Sequence, residues 1–205
     1  AWNAVGSSAF ILQQQSLVYM LNAFLGPNST AAYGVANQAT GAFRGLTQAV
    51  NSALAPTLYR SEASNARHEL LSKAALNSKY LFLGACTLLL PVAQEAPYIL
   101  DLWLVQPPTN APILMRATLA AFALELLSSQ YLIAWQAIGK ISGLVVRSLV
   151  VTIVSLSLCW ASLFARWDIH VVAAILALTG LINSLQRVAL LMQHYRPAFA
   201  DWLSG

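Results

Sequence analysis

Apolar residues run through this chain in long continuous stretches, and the polar positions gather in the gaps between them. Six stretches stand out, at approximately 5–25, 31–58, 80–104, 113–138, 142–165 and 169–193. A helix needs roughly 20 apolar residues to cross the hydrocarbon core of a bilayer, and each stretch meets or approaches that length. The runs do not alternate between apolar and polar in pieces of about 10 residues, so helices are predicted and a β-barrel is not. The expected fold is an all-α membrane protein, a single six-helix lobe occupying residues 1–205.

Turn signals separate the stretches. Gly26-Pro27-Asn28 closes the first, and the second ends near Pro56. Residues 60–79 are polar, and Leu70, Leu71 and Ala74 predict a short surface helix there. Pro91 and Pro97 predict a kink or break in the third span. Gln106-Pro107-Pro108, Gly139-Lys140 and Arg166-Trp167-Asp168 mark the remaining turns, and Trp202 predicts a tail at the membrane interface.

Composition agrees. Hydrophobic residues make up 58% of the 205 and charged residues 9%, too few charges to cover the surface of a water-soluble domain. The net charge of +4 matters through its placement. One set of loops and span ends holds Arg60, Arg67, Lys73, Lys79, Lys140, Arg147, Arg187 and Arg196, and the opposite set holds Arg166 with Glu95, Asp101 and Asp168. The positive-inside rule puts the first set in the cytoplasm, with both termini, and this requires an even number of spans. No basic run is interleaved with aromatics, so nucleic acid is not an expected partner. Cys86 and Cys159 lie within apolar stretches and read as packing residues. The start at Ala1, without Met or a basic n-region, reads as a piece of a longer protein.

Charges within the stretches are the functional candidates: Arg44, Arg116 and Glu125. A charge at membrane depth costs about 2.5–3.5 kcal/mol on insertion scales, so it faces a wet cavity or a partner. Arg44, midway along the second stretch, either attracts an anionic group such as a pyrophosphate or pairs with Glu125. Glu125 either couples transport to a H⁺ or Na⁺ gradient or pairs with an arginine. Arg116, near a span end, is expected to snorkel to the headgroups. The amides Gln14, Asn22, Asn37, Gln38, Asn51 and Gln130 predict a hydrophilic cavity lined mainly by the first two spans, although such groups also serve as interhelical glue. The small-xxx-small segment Gly41-Ala-Phe-Arg-Gly45 reads as close helix packing. His68, His170 and His194 lie near span ends or in loops, no paired carboxylates occur at helical spacing and no phosphate-binding glycine loop is present. Neither an enzyme nor an ATP-binding protein is expected. The Asn28-Ser29-Thr30 sequon reads as a turn.

The order of landmarks carries a resemblance. The opening Ala1-Trp2-Asn3-Ala4-Val5-Gly6 is followed by LNAFLG at 21–26, Ala55-Pro56 at the end of the second stretch, ILDLWL at 99–104 and QAIGKI at 136–141. In this order and spacing the chain resembles the C-terminal half of the polysaccharide-biosynthesis membrane proteins, the O-antigen and lipopolysaccharide flippases. They share a superfamily with the multidrug and toxin extrusion transporters. The resemblance implies one of two six-helix lobes around a V-shaped cavity. It implies movement of a polyprenyl-diphosphate-linked oligosaccharide across a bacterial inner membrane by alternating access, without a cofactor. It also implies a missing N-terminal lobe or partner chain, because one lobe cannot enclose a two-sided cavity. Tyr33 stands where many relatives carry Arg, and Ile138 replaces the Thr of their QATGKI segment. Two other readings remain: a drug/cation antiporter of the same superfamily, with Glu125 as coupling residue, and a non-transporting membrane scaffold or truncated product.

Overall fold

The computed structural model describes residues 2–64, 66–139 and 141–203. These form eight α-helices and no strand. In chain order they are α1 (Trp2–Leu25), α2 (Pro27–Ala63), α3 (Arg67–Gln94), α4 (Ala96–Trp103), α5 (Ala111–Leu126), α6 (Ser129–Ile138), α7 (Ser142–Phe164) and α8 (Ile169–Leu203). Lys140 lies outside the described residues, as do the side chains of Arg67, His194, Arg196 and Trp202.

Local sequence explains most boundaries. Gly26 has a φ of 81°, which turns the chain out of α1, and Pro27 then starts α2 where a missing N–H is harmless. Gly139 caps α6 with a φ of 78°. Arg166 takes the left-handed conformation at the end of α7, with a φ of 57°. The Trp167 N–H donates to the Ser162 carbonyl at 2.9 Å and the Arg166 N–H to that of Leu163 at 3.0 Å, the bond pair of a Schellman cap.

Among the described residues, three helices are long and apolar enough to cross a membrane: α3 over His68–Gln94, α7 over Ser142–Phe164 and α8 over Ile169–Gln193. A fourth crossing results if α5 and α6 act as one span, bent by 45° at its break. The chain is thus a helical protein with membrane-spanning character. α1 and α2 are long, at 24 and 37 residues, but their amides and hydroxyls keep them below the same standard of apolarity. The six equivalent spans expected from sequence are therefore not what length and apolarity alone deliver. The outward face of α7 carries exposed Val146, Val150, Ile153, Val154, Leu158 and Trp160, a surface suited to lipid and not to water.

One segment differs from the sequence reading. Residues 67–79 belong to α3 itself and form no separate surface helix, because Leu70, Ala74 and Ser78 are buried on one side and continue the helix face. The third span is interrupted near its far end, as Pro91 and Pro97 predict: α3 passes through Pro91, and the break falls at Glu95, two residues before Pro97.

The core is divided. One apolar cluster contains Leu21, Ala32, Ala96, Leu100, Ala111, Leu114, Leu163 and Ile169, near the α1–α2, α4–α5 and α7–α8 connections. The other contains Leu58, Leu70, Tyr131, Trp135, Leu144 and Leu191, near the α2–α3 and α6–α7 connections. Successive connections therefore alternate between two ends of the bundle. α2, α5–α6 and α8 run from one cluster to the other, and a polar layer lies between.

Candidate functional site

That polar layer is built from α2, α5, α6 and α8. α2 contributes Arg44, Gln48 and Asn51, the α5–α6 junction contributes Glu125, Ser128 and Gln130, and α8 contributes Asn183, Ser184 and Arg187. On α8 the row Thr179, Asn183, Arg187 repeats every four residues, so it lies along one face.

An ion cluster occupies the centre. Arg44 Nη1 donates to Glu125 Oε2 at 2.9 Å. Arg187 Nη2 lies 3.9 Å from Glu125 Oε1, so the two carboxylate oxygens face different guanidiniums. The Arg44 guanidinium is also flanked by aromatic rings, Phe122 at 4.7 Å and Phe10 at 5.3 Å, which hold it by cation–π attraction. The Arg44 and Glu125 side chains are 35% and 32% exposed, whereas that of Arg187 is 13% exposed.

The break between α5 and α6 is held by α8. Ser184 Oγ donates to the Leu124 carbonyl at 2.6 Å, and Ser128 Oγ pairs with Ser184 Oγ at 3.1 Å. Arg187 Nη1 reaches Ser128 Oγ at 3.5 Å, and its own carbonyl accepts from Trp135 Nε1 at 3.3 Å. Carbonyls freed at a broken helix need such partners inside a bilayer, where no water supplies them.

Two cavities meet at the ion cluster. The larger, about 650 Å³, is walled by α1, α2, α5, α6, α7 and α8 and includes Gln14, Tyr33, Asn37, Thr152 and Asn183. The smaller, about 540 Å³, extends along α2 and α6 past Asn51 and Ser129. Arg44, Glu125 and Arg187 line both, and among the described residues they are the sole charged groups on either wall. Two cations face one anion, so the walls carry a net charge of +1.

The sequence candidates divide accordingly. Gln14, Asn37, Arg44 and Glu125 line the larger cavity and Asn51 the smaller. Gln14 Oε1 accepts from both Tyr33 Oη and Asn37 Nδ2, the latter at 3.2 Å, which ties α1 to α2. Gln130 is fully buried and donates to Asn51 Oδ1 at 2.7 Å, as interhelical glue. Asn22 and Gln38 are exposed and line neither cavity. The cavity is not confined to the first two helices, because α7 and α8 supply Thr152, Ser155 and Thr179. Arg116 does not simply reach for headgroups: its Nε and Nη2 donate to the Ala93 and Gln94 carbonyls at 2.9 and 3.2 Å, capping α3.

Arg187 is the residue the sequence reading misplaced. Grouped with the cytoplasmic charges, it instead turns inward toward Glu125. Its four-residue spacing from Asn183 and Thr179 was the available signal. Comparison with family models, with curated proteins and with solved structures finds no match to this chain.

Proposed function

We propose that the chain is one lobe of a membrane transporter that moves an anionic, sugar-bearing lipid, of the polyprenyl-diphosphate-linked oligosaccharide class, for cell-surface polysaccharide. The observation that carries this reading is the cavity of about 650 Å³, with amide and hydroxyl walls and two guanidiniums against one carboxylate. Guanidiniums suit phosphate oxygens, and the amides suit sugar hydroxyls. The volume is of the size that encloses a headgroup, leaving acyl or prenyl chains to the lipid outside.

The alternating connections between two ends of the bundle support six passes, with α1 and α2 as the polar, cavity-lining pair and α5–α6 as a broken span. Broken helices with polar groups at mid-depth are where transporters place their sites. A second lobe, on the same chain or another, would close the open side. The cation-antiporter alternative needs an acid free to bind a cation, and Glu125 already faces Arg44 and Arg187.

The test is export of surface polysaccharide by cells carrying the full-length protein. Arg44→Ala, at normal membrane abundance, is expected to lower export at least ten-fold and to leave lipid-linked oligosaccharide on the cytoplasmic leaflet. Normal export in that variant overturns the proposal.

A further inference from the structure

We infer that Glu125 is a built-in stand-in for the ligand: its carboxylate occupies an anion site made by Arg44 and Arg187, and an incoming phosphate or diphosphate group displaces it. The inference rests on the reading that an anionic group enters this cavity, and it adds Arg187 and an exchange step to that reading.

Three observations carry it. First, Glu125 satisfies the two arginines unequally. It makes a close bond to Arg44 at 2.9 Å and a long one to Arg187 at 3.9 Å. Second, Arg187 is left short of acceptors. Its Nε is buried without a hydrogen-bond partner, and its Nη1 has Ser128 Oγ at 3.5 Å. A guanidinium presents five donors, and a buried donor without an acceptor is destabilising. A carboxylate has two oxygens to share between two forks, whereas a phosphate has three and a diphosphate more, so the latter fit the pair better. Third, the residues of the cluster line both cavities. An anion bound between the two guanidiniums is therefore reached from either volume.

Glu125 is placed to move. It stands two residues before the α5–α6 junction, where the helix is interrupted. Arg44 is held by contact with two rings, Phe10 and Phe122, so the carboxylate is the partner freer to swing. In the empty site the carboxylate lowers the cost of keeping two guanidiniums at membrane depth. Exchange for a ligand then keeps both cations paired at every stage.

The experiment measures binding to the full-length protein by calorimetry, with two probes: inorganic pyrophosphate in solution, and polyprenyl diphosphate held in lipid nanodiscs. Glu125→Gln is expected to bind at least ten-fold tighter than the unaltered protein, because no internal carboxylate competes. Glu125→Asp, which keeps the charge but shortens its reach, is expected to fall between the two. Arg187→Gln is expected to weaken binding at least ten-fold in either background. Tightening with both probes makes the diphosphate group sufficient, and tightening with the nanodisc probe alone assigns the ligand to a lipid headgroup; either supports the inference. An affinity unchanged or reduced in both Glu125 variants, each shown folded by its unfolding midpoint, overturns the displacement while leaving the proposed function standing. Absence of binding of both probes to every form overturns both.

Discussion

Arg44 and Glu125 stand 81 residues apart in the chain and meet at 2.9 Å between the two apolar cores. The contact ties the middle of α2 to the end of α5. A pair about one-third exposed is screened, so its net worth is far below its Coulomb energy in a dry medium.

A double-mutant cycle with Arg44→Met and Glu125→Gln is therefore expected to give a coupling on the order of 1 kcal/mol by unfolding in detergent. Glu125→Gln alone should destabilise more than Arg44→Met alone, since it also strips Arg187 of its counter-charge. Equal single effects with zero coupling would show that the cluster is not an interacting unit.

α5 and α8 touch at a glycine. A Cβ built on Gly180 would lie 2.9 Å from the Ala121 backbone oxygen and 3.3 Å from its Cα, and backbone cannot step aside as a flexible side chain can. Gly180→Ala should lower stability by about 1–3 kcal/mol through overpacking, and Gly180→Leu by more. Gly84→Ala is the control, because nothing lies within 4 Å of its added methyl and alanine favours the helix. Thermal midpoints of the three variants in one detergent decide the matter.

Ser184 supports the break in α5–α6 by bonding the Leu124 carbonyl at 2.6 Å. Ser184→Ala removes that donor and a partner of Ser128, with an expected loss of about 1 kcal/mol. If the interruption were intrinsic to the segment 126–129, amide exchange of residues 127–132 would be unchanged in the variant. We expect it to accelerate.

How far the chain announced this arrangement depends on the kind of interaction. α7 and the start of α8 were legible within a residue, because uninterrupted apolar runs end at Gly139 and at Arg166-Trp167-Asp168. The break at Leu127-Ser128 was not, since no Pro or Gly marks it. It arises from Ser184 and Arg187 on another helix, and tertiary partners leave no local trace. The ion pair of Arg44 with Glu125 was legible as an alternative, because charges within apolar stretches need partners. Asn22 and Gln38 were over-read: residue type alone does not say which side of a helix a residue takes, and both face outward.

The direction of the bundle across the membrane gives the last prediction. With Arg187 turned inward, the described basic side chains Arg60, Lys73, Lys79 and Arg147 still lie toward one end, while Arg166 with Asp101 and Asp168 lies toward the other. The positive-inside rule then places the α2–α3 and α6–α7 connections in the cytoplasm and the α4–α5 and α7–α8 connections outside. In a Cys86→Ala, Cys159→Ala background, Thr109→Cys and Asp168→Cys should react with a membrane-impermeant maleimide applied to intact cells with the outer surface opened. Ser64→Cys and Ser142→Cys, both at exposed positions, should react after permeabilisation alone. Labelling of Asp168→Cys and Ser142→Cys from the same side would break the alternation that the two cores require, and with it the path of α7 across the membrane.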